Sequence, residues 1–204
     1  MLLNLAENDV VLIAGAYALG SIPFGLIIAW ISGKGDIRKK GSGNIGATNV
    51  MRVGGKILAV LTLLLDAGKG AFAVLVAREY ANTGNLNIVI LLSGAAVIIG
   101  HVFPIWLRFK GGKGVATTFA VLTAIYWPLG AFSLSIWLIT FFLTKISSLA
   151  AILSMIATPT LALYYADILG YGVVYLSFFI AILVIVRHHS NINRLVQGEE
   201  GKII

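Results

Sequence analysis

Long apolar runs alternate with short polar stretches along the whole chain. Most of the runs are about 20 residues long, enough to cross a hydrocarbon core of about 30 Å as a helix. The first extends from about Val10 to Ile31 and carries Gly20-Ser21-Ile22-Pro23-Phe24-Gly25, where proline marks a kink. Others run from about Ile57 to Tyr80, Leu86 to Leu107, Ser147 to Tyr165 and Tyr171 to Val186. The run from Val115 to Leu143 is ambiguous: long for one helix, short for two if broken at Tyr126-Trp127-Pro128.

Charge decides between the two, because Lys and Arg concentrate on the cytoplasmic side of membrane proteins. A single helix puts Lys145, Arg187, Arg194 and the C-terminus opposite the basic loop that holds Lys34, Arg38, Lys39, Lys40, Arg52 and Lys56. A turn at Trp127-Pro128 puts them all on one side, with Asp167 and the acidic N-terminus opposite. The pattern therefore predicts an all-α, polytopic membrane protein. It has seven transmembrane helices, an outside N-terminus, a cytoplasmic C-terminus and a single domain over residues 1–204. Only Arg78 falls on the wrong side, and Asp66 and Lys69 fall within a span.

Three polar stretches then come out on the cytoplasmic face. The first is Arg38-Lys39-Lys40-Gly41-Ser42-Gly43-Asn44-Ile45-Gly46-Ala47-Thr48-Asn49-Val50-Met51-Arg52. Its glycines, interleaved with Ser, Asn and Thr, allow several N–H groups to face one anion, and its basic ends add charge. A basic loop that only fixes orientation is the competing reading. The second, Lys110-Gly111-Gly112-Lys113-Gly114, leads into a helix at Val115, where free N–H groups and the positive dipole end attract anions. Its spacing fails the Walker pattern and no strand precedes it, so ATP hydrolysis is not supported. The third, Arg187-His188-His189-Ser190-Asn191-Ile192-Asn193-Arg194, puts His188 and Asn191 side by side if the helix continues. Interfacial capping is the alternative there. Asp66 and Lys69, three apart, are expected to pair, since an isolated charge in a span costs ~2.5–3.5 kcal/mol. His101 reads as an interhelical hydrogen-bonder.

Composition agrees with the membrane reading. Of 204 residues, 59% are hydrophobic and 11% charged, against the roughly 25% charged of soluble domains. Mean hydropathy is +0.96. Residues 1–9 contain Glu7 and Asp9 but no Lys or Arg, so the first run is expected to be a retained span rather than a cleaved signal. The absence of cysteine excludes thiolate chemistry, and the spacing of His101, His188 and His189 is not that of a zinc motif. No metal site and no cofactor is expected. The net charge of +7, which in a soluble protein would suggest nucleic acid, here reflects membrane orientation together with attraction for anionic lipid or substrate.

Gly-Ser-Gly-Asn-Ile-Gly-Ala-Thr-Asn at 41–49, Lys-Gly-Gly-Lys-Gly-Val-Ala-Thr at 110–117 and His-His-Ser-Asn-Ile-Asn-Arg-Leu at 188–195 together resemble the signature motifs of one family. That family is the bacterial membrane glycerol-3-phosphate acyltransferases of the PlsY type. The motifs stand in the family's order, and the resemblance covers about the whole chain. Ile45 replaces a common proline, and His189-Ser190 fills a variable pair. The resemblance implies seven membrane helices, motifs facing the cytoplasm and residence in the bacterial inner membrane. It also implies acyl phosphate as donor, glycerol 3-phosphate as acceptor, and lysophosphatidic acid and inorganic phosphate as products. No His-x-x-x-x-Asp pair of the acyl-CoA type is present.

Carried over by position, the resemblance implicates Ser42, Arg52, Lys113, His188 and Asn191. Gly41, Gly43, Asn44, Thr48, Asn49 and Gly112 lie within the motifs as expected substrate-binding positions. In the mechanism expected from this, Lys113 and Arg52 hold phosphate groups, and Ser42, Asn191 and backbone N–H groups of 41–49 complete the cradle. His188 orients the glycerol hydroxyl or takes its proton; a substrate phosphate oxygen is the alternative base. Direct transfer is favoured over an acylated Ser42. Membrane lipid surrounds the protein, and no obligate protein partner is evident. Residues 197–204 carry no expected role and read as a mobile tail. Two other classes compete: a small anion carrier, which would show an internal repeat, and a non-catalytic lipid-binding scaffold.

Overall fold

The computed structural model describes residues 5–82, 84 and 86–203; residues 1–4 and Ile204, the last of the tail, lie outside the described residues. Every regular element among the described residues is helical. Among the described residues, five segments are long and apolar enough to cross a membrane: Glu7–Ile31, Lys56–Tyr80, Asn87–Leu107, Trp127–Thr144 and Ser147–Tyr164. Tyr171–Arg187 with His189–Val196 makes a sixth if that pair, bent by 61°, is one span. The seventh expected segment is present as Val115–Ile125, but its 11 residues rise only about 16 Å, far short of a crossing. The chain divides after Ile125 into two compact units.

In the first unit, helix α1 (Glu7–Gly20) breaks at Ser21-Ile22-Pro23 and resumes as α2 (Phe24–Ile31). Short α3 (Ala47–Gly54) leads into α4 (Lys56–Tyr80), followed by α5 (Leu86–Val102) and α6 (Val115–Ile125). Helices α1 and α5 pack backbone to backbone: a Cβ on Gly20 would strike the Val97 carbonyl, and one on Gly100 the Tyr17 carbonyl. Small residues permit such approaches where there is no water to drive association.

Helix α4 shows the inverted pattern of a lipid-facing helix. Ile57, Leu61, Leu64, Phe72 and Leu75 point outward, while Thr62, Asp66, Lys69 and Ala73 are buried. Asp66 and Lys69 do pair, at 2.8 Å. Lys69 also donates to the Ile22 carbonyl at 2.9 Å, serving the backbone at the proline break between α1 and α2. Arg78, the one basic residue that fits the charge pattern poorly, donates to the carbonyls of Ala124 and Ile125 at 2.7 and 3.3 Å. It caps the C-terminal end of α6, which accounts for its position.

The second unit holds α7 (Trp127–Thr144), α8 (Ser147–Tyr164), short α9 (Ala166–Leu169), α10 (Tyr171–Arg187) and α11 (His189–Val196). Helix α7 begins one residue after α6 ends, with Tyr126 extended and Pro128 in the first turn, where a missing N–H costs nothing. The expected break therefore falls at Tyr126. Buried Ser133, Ser154 and Thr158 join α7 to α8, at 3.0 Å (Ser133 to Ser154) and 2.8 Å (Ser133 to Thr158).

Candidate active site

The first polar stretch folds as a turn over residues 41–46 followed by α3, and Asn49 organises it. Asn49 is 1% exposed. Its amide nitrogen donates to the carbonyls of Ile37 (3.0 Å), Lys40 (3.1 Å) and Asn44 (2.8 Å), while its oxygen accepts from the Ser42 N–H at 2.8 Å. Gly41 and Gly43 hold positive φ of 58° and 72°, and a Cβ on Gly41 would collide with the Asn49 amide. From beneath, Ile37, Ile45 and Val50 form an apolar cluster with Leu26 and Ala29 of α2.

The expected backbone cradle of 41–49 is narrowed by four internal bonds. The N–H groups of Ser42, Gly43, Gly46 and Asn49 bond within the loop, to Asn49 Oδ1, Lys40 O, Asn44 Oδ1 and Gly46 O. These four donors are spent on the loop itself. Ser42 is exposed, Asn44 and Thr48 are half-buried, and Arg52 is exposed on α3. Arg38 is turned to Asp36 in a two-point contact (2.9 and 2.7 Å). The Arg38 hydrogen bond lowers the Asp36 pKa to about 2. The positive charge of Arg38 is thus matched locally.

The second stretch closes back on α5. Gly111 and Gly112 donate to the carbonyls of Val102 and His101 at 3.1 and 3.0 Å, capping orphan acceptors at the helix end. Gly112 abuts the Nε2 edge of the His101 ring, which a Cβ would strike. Its N–H is therefore committed to the fold, and its part is to shape the loop. Lys113 follows, half-buried, just ahead of the first turn of α6. Leu107 packs against the Ile37–Ile45–Val50 cluster, so both loops of this unit share one apolar anchor.

In the second unit, α10 does not continue through the third stretch. It ends at His188, and α11 leaves at 61°. The simple helical face expected for His188 and Asn191 is broken at its first member. His188 is 2% exposed, and its Nδ1 lies 2.7 Å from the Val184 carbonyl. A carbonyl only accepts, so Nδ1 carries the proton, and Nε2 is the acceptor of the neutral ring.

Asn191 is 4% exposed and donates to Glu200 Oε1 at 2.6 Å. Glu200 also accepts from Ser148 (2.7 Å) and from Arg194 (2.6 Å). Burial acts to raise the Glu200 pKa, but the hydrogen bonds from Ser148, Asn191 and Arg194 outweigh it and hold the carboxyl below its ordinary value. The expected mobile tail is thus a strap: Glu200 fastens it, and the Ile203 N–H donates to the Lys145 carbonyl at 2.8 Å. Glu200 escaped the sequence reading because its spacing to Asn191 and Arg194 is not helical.

Residues 10–198 match the family model described as glycerol-3-phosphate acyltransferase. This chain belongs to that family. The glycerol-3-phosphate acyltransferase of Caulobacter vibrioides is 52% identical over 191 residues, covering 94% of this chain and 86% of that one. The corresponding protein of Paramagnetospirillum magneticum is 47% identical over 194 residues, covering 93% and 90%. The crystal structure of PlsY (YgiH), an integral membrane glycerol 3-phosphate acyltransferase, in its glycerol 3-phosphate form aligns with a TM-score of 0.89 at 38% identity. It covers 96% of each chain. The lysophosphatidic acid form of PlsY aligns with a TM-score of 0.85. The chain is accordingly a multi-pass membrane acyltransferase of the PlsY family.

Proposed function

We propose that this chain transfers a fatty acyl group from an acyl phosphate to the 1-hydroxyl of glycerol 3-phosphate, giving lysophosphatidic acid and inorganic phosphate. The observation that carries the reading is the likeness to PlsY in its glycerol 3-phosphate form over 96% of both chains. All three polar stretches lie within residues 10–198, which match the family model. The seven helical segments act as one domain, 1–204, in the bacterial inner membrane, with the three stretches on the cytoplasmic face.

An acyl phosphate is a mixed anhydride, so its phosphate departs readily. The acceptor oxygen bonds to the carbonyl carbon, the carbonyl–phosphate C–O bond breaks, and phosphate leaves with the electron pair. The work left to the protein is to hold two anionic head groups and aim one hydroxyl, which supplies about 7–11 kcal/mol of a barrier. Lys113 and Arg52 carry the charge for that task. Ser42 and Asn191 add polar contacts, and Thr48 and Asn44 line the first loop. His188 takes the hydroxyl proton on Nε2, with Nδ1–H anchored at Val184. Fixed donors of this kind stabilise charge growing on the carbonyl oxygen and the leaving phosphate.

The test is reconstituted protein supplied with labelled glycerol 3-phosphate and, in turn, acyl phosphate, acyl-CoA and acyl carrier protein. Lysophosphatidate formed from acyl phosphate, without any gradient, supports the reading. Equal use of acyl-CoA removes the donor assignment. Uptake of label without product supports a carrier instead.

A further inference from the structure

The groups that the site description leaves unused in the first unit form one buried cluster. Asp66, Lys69 and His101 are 3%, 4% and 5% exposed. Lys69 is held at 2.8 Å from Asp66 Oδ1 and at 2.9 Å from the Ile22 carbonyl. His101 Nδ1 faces the same Asp66 oxygen at 3.4 Å. Asp66 makes one more contact, through its backbone: its carbonyl accepts from Thr117 Oγ1 at 3.0 Å.

These contacts converge on the glycine loop from both ends. His101 stands at its upstream stem, where its carbonyl accepts from Gly112 and its ring edge at Nε2 abuts Gly112. Thr117 stands at its downstream stem, in the first turn of α6, close enough to α4 that a Cβ on Gly70 would press on its carbonyl. One position of α4 therefore meets both stems of the segment that carries Lys113, His101 with its carboxylate at 3.4 Å and Thr117 with its main-chain carbonyl at 3.0 Å.

We infer that Asp66, with its carboxylate toward His101 and its main-chain carbonyl on Thr117, is a positioning residue that sets the glycine loop to receive the phosphate of glycerol 3-phosphate. The inference rests on the proposed role of Lys113. The carboxylate faces His101 as well as Lys69, while the main-chain carbonyl of the same residue takes the Thr117 hydroxyl. Lys69 in turn holds the Asp66 carboxylate in place at 2.8 Å. A loop displaced by about 1 Å from its working position costs up to ~100-fold in rate or binding in well-aligned sites.

The experiment measures KM for glycerol 3-phosphate, kcat and thermal unfolding on four variants of the full chain in lipid. His101→Phe keeps a ring beside Gly112 but removes the group that faces Asp66; KM is expected to rise about tenfold with kcat within about twofold. His101→Asn returns a donor toward Asp66 and is expected to recover most of that loss. Thr117→Val removes the second tie with little change of volume and is expected to raise KM while unfolding at nearly the same temperature. It carries the test alone if His101→Phe fails to fold. Unchanged KM in folded His101→Phe or Thr117→Val, or equal KM losses in His101→Phe and His101→Asn, overturns the inference. Lys113→Ala separates the two levels. If it raises KM and the His101 and Thr117 variants do not, only the positioning role falls. If Lys113→Ala itself leaves KM unchanged, the phosphate role of the loop falls with it.

Discussion

The Asn49 amide oxygen accepts the Ser42 N–H at 2.8 Å, and the same side chain spends its nitrogen on three carbonyls of the loop around Ser42. One buried side chain thereby replaces the backbone pairing that a turn of this length lacks. The Ile37 and Lys40 carbonyls also accept backbone N–H groups, so Asn49 ties those turns to the Asn44 carbonyl and the Ser42 N–H; losing a buried partner costs ~1–3 kcal/mol, which loosens the loop without Asn49. Asn49→Asp retains the acceptor and loses the donors. We expect it to lower kcat/KM by about 100-fold, the cost of displaced reacting groups. Asn49→Asp with wild-type kcat/KM in the steady-state assay would remove Asn49 from the loop's support.

His188 binds Val184 through Nδ1, which assigns the neutral ring's acceptor to Nε2. His188→Asn keeps an amide donor near Val184 and has no basic nitrogen. It is expected to lower kcat by about 10²–10⁴-fold and to abolish the acidic limb of the pH–rate profile. An unchanged profile would move the base to a substrate phosphate.

Glu200 gathers Ser148, Asn191 and Arg194, and its carboxyl titrates below the ordinary value. A group whose folded pKa is depressed adds stability that is full above its unfolded value, roughly 4.3 for Glu. That stability is lost as pH falls through the lower folded value. Thermal unfolding of the wild type should therefore weaken below about pH 4.3, with Glu200 as one contributor. Glu200→Gln should unfold at lower temperature at pH 7 and show a shallower acid dependence. Parallel curves for the two proteins would show that Glu200 carries none of it.

Much of the fold was legible in the sequence because bilayer thickness converts apolar length directly into helices, and the break at Tyr126 could be placed by charge. What was not legible was cross-chain satisfaction of polar groups. Nothing in spacing reveals that Arg78 caps α6, that Lys69 serves the Ile22 carbonyl, or that Glu200 reaches Asn191 and Ser148. The site was legible as residue types and only partly as roles. Glycine and asparagine signalled an anion cradle, whereas in the fold Gly112 and Asn49 satisfy the loops themselves. The seventh segment, Val115–Ile125, matched in position and fell short in length, because the glycine loop before it occupies residues that a full crossing would need.

The sharpest measurement is phosphate release from acyl phosphate by micromolar protein, with and without glycerol 3-phosphate. Direct transfer onto a bound acceptor predicts one phosphate per lysophosphatidate and no release until the acceptor is added. A stoichiometric burst of phosphate without acceptor, with the acyl group left on the protein, would contradict it.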